Sequence, residues 1–130
     1  MQRRAITPAT IHAPFGSYNH ALLVEGPPPT LHMAGQVGMT AEGSVPDSVA
    51  GQTEVVFANI QAILDAAGMQ RRHIVKLTTY LTDAGFRALY MPIRNAWIAE
   101  PWPASTLVVV KALAEPRFLI EIDAFAIGDP

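Results

Sequence analysis

Cysteine is absent from this chain of 130 residues. Its absence excludes disulfide bonds, thiolate metal ligands and a cysteine nucleophile, and it fits a reducing compartment. Charge is also scarce, because only 15% of the residues are charged while 50% are apolar. Such a low charge content on a small domain predicts that some of its apolar surface meets another subunit.

Long apolar runs and basic clusters are missing too. No stretch approaches the roughly 18 apolar residues of a membrane helix, and the start MQRRAITPAT lacks the apolar segment of a signal peptide. We therefore expect a cytoplasmic protein with no membrane partner. The formal net charge of -2 offers no broad basic surface to a polyanion, so we expect no nucleic-acid partner either.

Length and periodicity predict one domain, residues 1–130, that contains two helices. The first lies in DSVAGQTEVVFANIQAILDAAG, where apolar residues recur at helical spacing between a capping Asp47 or Ser48 and Gly68. The second lies in DAGFRALYMPIRNAWIAE behind the possible cap Asp83. Pro92 falls inside this segment, so we expect a kink or a fresh helix start there.

The other apolar segments predict strands. They are ALLVE, LHMAGQVGM, IVKLTTYLT, TLVVVKAL and RFLIEIDAFAI. TLVVVKAL does not alternate, so we expect it to be covered on both sides. The element order predicts an α+β fold in which both helices stack on one face of a single mixed sheet. The opposite face, still fairly apolar, needs a cover.

Glu121 is the sharpest candidate for chemistry. It lies in FLIEIDAF between apolar residues, where partial burial should raise its pKa and ease proton exchange near neutral pH. The alternative is a solvent-facing polar stripe that Glu121 shares with Asp123 on the same strand face. The pattern alone leaves both interpretations open.

Two glycine-containing segments are further candidates. FGSYNHA brings Tyr18, Asn19 and His20 after a turn, where a phenol or imidazole could donate to a substrate, or where an ordinary turn simply precedes a strand. Gly35, inside HMAGQVGM, indicates either a close approach of backbone to a ligand or a simple bulge.

PWPASTLVVV places Ser105 and Thr106 at the entrance of an apolar strand. A nucleophilic serine would need a base supplied by the fold, and the alternative is that these hydroxyls bond to nearby backbone groups. The four histidines are scattered without metal-ligand spacing, so we expect no metal site.

Six segments, in register over nearly the whole chain, resemble the Rid family of reactive intermediate deaminases, also called YjgF. They are FGSYNHA, HMAGQVG, the helix ending in ILDAAG, IVKLTTYLTD, PWPASTLVVV and IEIDAFAI. The resemblance implies a chorismate-mutase-like fold assembled as a homotrimer, with sheets inward around a central barrel and helices outward. That assembly would cover the open sheet face.

The resemblance also implies clefts between subunits that bind small carboxylate metabolites. In its deaminase members the family hydrolyses enamines or imines there to a keto acid and ammonia, without a metal or organic cofactor. Tyr18 matches the cleft tyrosine of the family, Gly35 the backbone that approaches the ligand, and Glu121 the carboxylate that orients water. These matches imply catalytic roles for Tyr18 and Glu121.

Other matched positions depart from the family pattern. Ser105, followed by Thr106, stands where the family has an arginine that pairs with the substrate carboxylate, and Tyr90 stands where the deaminases often have asparagine. We expect Tyr90, Ser105 and Thr106 to contact the substrate. Arg94 has the length to reach the cleft, but long charged side chains on helices usually face solvent, and we expect the same here.

Two functional hypotheses remain. The chain is a Rid-like deaminase acting on a small imine, enamine or related reactive metabolite, or it is a trimeric metabolite-binding protein that has lost the arginine-dependent reaction. Tyr18 and Glu121 favour the first hypothesis, whereas Ser105 favours the second.

Overall fold

The structure, a computed structural model, describes residues 2–130. Within that range the chain forms β1 (Arg3–Ile6), β2 (Ala21–Val24), β3 (Thr30–Met33), β4 (Gln36–Val37), α1 (Val49–Ala66), β5 (Ile74–Leu81), α2 (Arg87–Trp97), β6 (Ala104–Val109) and β7 (Ile120–Ile127). Short 3-10 turns at Arg71–His73 and Ala84–Phe86 precede β5 and α2.

All seven strands belong to one sheet, in the order β1-β2-β3-β7-β5-β6, with β4 also paired to β7. Neighbours run antiparallel except β5 and β6, which are parallel. Both helices pack on the same side of the sheet. The predicted α+β architecture, one mixed sheet with two helices on one face, is therefore confirmed.

Helix α1 forms where the sequence predicts it. The hydroxyl of Ser48 accepts a hydrogen bond from the backbone N–H of Gly51 at 3.0 Å, which satisfies one free donor of the first turn. Gly68 follows the helix end with a φ of 70°, a conformation that favours glycine. The predicted apolar side of the helix is buried in the core.

Helix α2 begins differently from the prediction. The Asp83 carboxylate accepts from the backbone N–H of Gly85 at 2.7 Å and starts a 3-10 turn, and the α-helix follows from Arg87. Pro92 lies within that helix, so the expected fresh start at Pro92 is wrong. Because Pro92 has no N–H, the backbone carbonyl of Ala88, four residues earlier, has no donor within the helix. Ala88 lies exposed in the first turn, so water can bond to this carbonyl.

Three strand predictions also need correction. The segment LHMAGQVGM is broken into β3 and β4 on either side of Gly35, and β1 was not predicted. Regular alternation in IVKLTTYLT predicts Val75 on the same face as Leu77, but a bulge between Ile74 and Lys76 exposes Val75. Strand β6 is not covered on both sides in the single chain, because it is the edge strand and most of its residues are exposed.

The sheet has two unlike faces. The helix face packs against α1 and α2 and carries fully buried residues, among them Leu77, Leu81 and Ile122. The open face has no layer over it in the single chain and carries the alternate residues of the same strands. These are Lys76, Thr78, Tyr80, Thr106, Glu121, Asp123 and Phe125.

Candidate functional site

Gly35 lies directly against the side chain of Glu121. A Cβ atom added at Gly35 would lie 2.7 Å from the Cδ atom of Glu121, closer than a side chain tolerates. The ladder that pairs Gln36 with Ile122 and Val37 with Glu121 holds the two segments together. The glycine is therefore needed for the close approach of this backbone to the carboxylate.

The Glu121 carboxyl is half-buried on the open face. Burial raises the pKa of Glu121 above its ordinary value, and the negative charge of Asp123 raises it further. A raised pKa lies closer to neutral pH, which favours proton exchange by this group. The burial favours a chemical role for Glu121 over a plain solvated stripe.

Further polar side chains lie on the same sheet face as Glu121 and bond to one another. The hydroxyl of Tyr80 donates to Asp123 Oδ2 at 2.9 Å, and Lys76 Nζ donates to Thr106 Oγ1 at 2.6 Å. The hydrogen bond to Asp123 is the main cause of the raised pKa of Tyr80. Sequence reasoning did not select Tyr80 or Lys76, although the alternation of β5 placed both on the face opposite the core.

Tyr18 stands in the loop before β2 with 42% of its surface exposed. Its hydroxyl accepts a hydrogen bond from the backbone N–H of Phe15 at 3.1 Å, and the edge of its ring meets His20. The phenol is thus held by its own loop and remains accessible to a ligand.

A buried histidine ties that loop to the strand beside Gly35. His20 Nε2 lies 2.7 Å from the carbonyl oxygen of His12, and Nδ1 lies 3.1 Å from the amide nitrogen of Gln36. A carbonyl can only accept, so Nε2 carries the proton and Nδ1 accepts from Gln36. Burial lowers the pKa of His20, which favours this neutral form. Sequence reasoning missed Gln36 entirely.

Tyr90 and Ser105 lie elsewhere, where α2 meets the helix-facing side of β6. Tyr90 is buried with its hydroxyl 2.7 Å from Thr79 Oγ1. Both residues line a cavity of about 230 Å³ together with Arg94 and Leu107. Arg94, which we expected to face solvent, is half-buried at the wall of this cavity.

The residues selected from the sequence therefore form two groups within one chain. Gly35, Glu121 and Thr106 lie on the open face, whereas Tyr90 and Ser105 lie on the helix face at the β6 edge. Ser105 and Thr106 are separated in this way because successive side chains of a strand point to opposite faces. One chain does not bring the two groups together.

In the described residues no three His, Asp or Glu side chains converge on a point that could hold a metal ion. Neither α1 nor α2, the two α-helices of residues 2–130, is long and apolar enough to cross a membrane.

One mixed sheet with two helices on one face defines an α+β protein of the YjgF type, and a half-buried carboxylate lies on the other face of its sheet. A family model described as Endoribonuclease L-PSP matches residues 10–128. The chain belongs to this family, the Rid or YjgF family.

Relatives of known name and structure cover almost the whole chain. A 2-iminobutanoate/2-iminopropanoate deaminase of Bos taurus is 32% identical over 130 residues, which is 98% of this chain and 92% of the relative. Protein DfrA of Myxococcus xanthus is 34% identical over 132 residues, 98% of each chain. The crystal structure of RidA from an Antarctic Psychrobacter is 31% identical, with a TM-score of 0.87, and the match covers 95% of this chain and 98% of that one.

Proposed function

We propose that this chain is a deaminase that hydrolyses a small 2-imino acid, or its enamine tautomer, to a 2-oxo acid and ammonia. The observation that carries the proposal is the half-buried Glu121 carboxyl held against the backbone of Gly35. Several relatives bear the name 2-iminobutanoate/2-iminopropanoate deaminase, which supports the same reaction.

Glu121 is assigned the central role in this reaction. Glu121 accepts a proton from water as that water adds to the imine carbon, and passes it to the imine nitrogen, which gives a neutral carbinolamine. Glu121 then takes the proton of the carbinolamine hydroxyl and delivers it to the amine nitrogen, so that the C–N bond breaks as the C=O bond forms. One water is consumed, and one keto acid and one ammonia are formed. The raised pKa of Glu121 suits both proton transfers, because the donating and accepting forms are then closer in energy.

The complete site is proposed to lie between subunits of a cytoplasmic homotrimer. Glu121, Gly35, Thr106 and Tyr18 of one chain would face Tyr90 and Ser105 of the next. Two observations support this arrangement: the two groups lie on opposite faces of one sheet, and the edge strand β6 leaves Val108 and Val109 39% and 51% exposed. A mass three times the 14.0 kDa of the chain, measured by light scattering, is the expected result; a monomer would refute the shared site.

The reaction is tested by ammonia release from freshly generated 2-iminobutanoate and 2-aminoacrylate. We expect the wild type to accelerate release and Glu121→Gln to lose about 100-fold or more, the usual range for a general acid–base group. Glu25→Gln is the matched control, since it makes the same change at an exposed carboxylate of the β1–β2 edge and should retain most of the rate. An equal loss of activity in both variants, or full activity in Glu121→Gln, would contradict the role of Glu121.

An inactive wild type would instead support the second hypothesis, a trimer that binds a metabolite without converting it. The family description also names an endoribonuclease. The charge of -2 disfavours that activity, and the pair Arg71 and Arg72 is already engaged, with Gln61 and Asp129 respectively. RNA cleavage by the clean wild type but not by Glu121→Gln would overturn this view.

A further inference from the structure

The cavity between α2 and β6 is lined by one side of the helix. Arg87, Tyr90, Met91 and Arg94 follow each other at positions i, i+3, i+4 and i+7, which places them along one stripe of α2. Across the cavity, β6 contributes the side chains of Ser105 and Leu107. Two guanidinium groups therefore border a space that also contains a free hydroxyl.

The charge of Arg94 has no carboxylate partner in residues 2–130. The ion pairs of this part of the chain join Arg4 to Glu25, Arg72 and His73 to Asp129, and Arg117 to Glu115. The guanidinium of Arg94 donates instead to the side-chain oxygen of its neighbour Asn95 at 2.9 Å. A half-buried guanidinium with no carboxylate partner keeps N–H donors available in the cavity wall, and such donors suit an anionic ligand.

Arg94 is also held in place. Burial raises the pKa of the Tyr90 hydroxyl, and the positive charge of nearby Arg94 opposes that rise. On its other side Arg94 borders a second cavity of about 310 Å³ with Asn95, Ile98 and Trp102. The Arg94 side chain thus borders both cavities.

We propose that Arg94 and Ser105 bind the carboxylate of the substrate, so that helix α2 supplies the cation of the site and β6 supplies a hydroxyl donor. The proposal rests on the deaminase function proposed above. A guanidinium binds a carboxylate through two parallel hydrogen bonds, and the Ser105 hydroxyl can donate a third. The ligand class is a small 2-imino or 2-oxo carboxylate, and Arg94 decides its specificity for an acid over a neutral carbonyl compound.

Binding is measured without turnover, by calorimetry with 2-oxobutanoate as a stable product-like probe. We expect Arg94→Gln to weaken binding about 10- to 100-fold, as for a lost charge-assisted contact. Arg94→Lys should recover only part of the affinity, since an ammonium keeps the charge without the fork. Arg4→Gln, an exposed change at the opposite sheet edge, is the control and should bind like the wild type.

A second variant separates loss of the cation from loss of the fold. In Arg94→Gln combined with Ser105→Arg, a guanidinium returns to the same cavity from β6, and we expect it to restore binding to within about tenfold of the wild type. Unchanged affinity in Arg94→Gln, with a thermal unfolding midpoint like that of the wild type, would overturn the proposal. So would a double variant no tighter than Arg94→Gln.

The two proposals fail separately. If the wild type hydrolyses imines and Arg94→Gln leaves KM unchanged, the carboxylate site is wrong and the deaminase stands. If the wild type releases no ammonia but binds 2-oxobutanoate through Arg94, the deaminase is wrong and the carboxylate site stands. If both proposals are correct, Arg94→Gln raises KM at least tenfold and lowers kcat much less. The reason is that Arg94 contacts the substrate carboxylate in the ground state as well as in the transition state.

Discussion

The two faces of the sheet are made from alternate residues of the same strands, yet they differ in nearly every physical property. Along β7, Ile120 and Ile122 are fully buried under the helices, whereas Glu121 and Asp123 between them are half-buried on the open face. The helix face is apolar and close-packed. The open face carries carboxylates, hydroxyls and an amine that bond to one another.

The comparison shows how one strand can serve stability and chemistry at once. The helix face supplies the apolar burial that holds the chain folded, and this leaves the open face free to carry groups that a core excludes. A third region, the β6 edge, belongs to neither face alone, because its residues alternate between the cavity beneath α2 and the open face. Substitutions in each region would show how independent the regions are of one another.

The largest effect is expected on the helix face. Leu77→Ala should lower the free energy of unfolding by about 2–5 kcal/mol, because it leaves a cavity in a fully buried region. Thr78→Ala, the next residue on the open face, should cost less than about 1 kcal/mol. Urea unfolding of both variants at one protein concentration measures the difference, and equal costs would break the division between the faces.

The next effect concerns Gly35. A methyl group at this position would collide with Glu121, so Gly35→Ala must displace either the carboxylate or the strand. We expect imine hydrolysis to fall at least about tenfold, in line with the sensitivity of catalysis to misplacement of about 1 Å. Gly16→Ala, where an added Cβ meets no atom within 4 Å, is the control in the same ammonia assay. A fully active Gly35→Ala would show that the close approach is not required.

A smaller effect is expected within the polar network of the open face. Tyr80→Phe removes the hydrogen bond to Asp123 and should lower the free energy of unfolding by about 0.5–1.5 kcal/mol. In Asp123→Asn the same substitution at Tyr80 should cost less, because the charged acceptor is already gone. The double-mutant cycle measures this coupling, and additive costs would mean that the two groups do not interact.

The smallest effect is a pH dependence of stability. Burial and the charge of Asp123 raise the pKa of Glu121 above 4.5, so above that pH the folded chain binds more protons than the unfolded chain. The stabilisation linked to the protonated carboxyl is complete below about pH 4.5 and is lost as the pH rises through the folded pKa. Compared with Glu121→Gln, the wild type should therefore lose stability as the pH rises above about 4.5. Urea midpoints that change in parallel for the two proteins would contradict this.

The faces themselves could be predicted from the sequence, because a strand alternates regularly between them. Alternation along RFLIEIDAFAI predicts Ile120, Ile122 and Ala124 on one side of β7, and all three are buried there. The same rule failed at Val75, since a bulge adds one residue and reverses the alternation. Local pattern does not reveal a bulge that is fixed by pairing with a distant strand.

The site was harder to predict, because its geometry depends on contacts between distant segments. The proximity of Gly35 to Glu121 arises from pairing of β4 with β7, and the position of Arg94 arises from packing of α2 beside β6. Nothing in the sequence around Arg94 distinguishes it from a solvated arginine. Gln36 was missed for a similar reason, since its partner His20 lies before two strands that fold back on each other.

The placement of Glu121 and Arg94 on opposite sides of one sheet has a consequence for genetics. If neighbouring chains complete each cleft, then Glu121→Gln and Arg94→Gln damage different halves of it. A cell that carries one gene of each kind would assemble mixed trimers in which about a quarter of the clefts join two intact halves. Two alleles that each fail alone would then complement each other, and the phenotype of one would depend on the allele inherited with it.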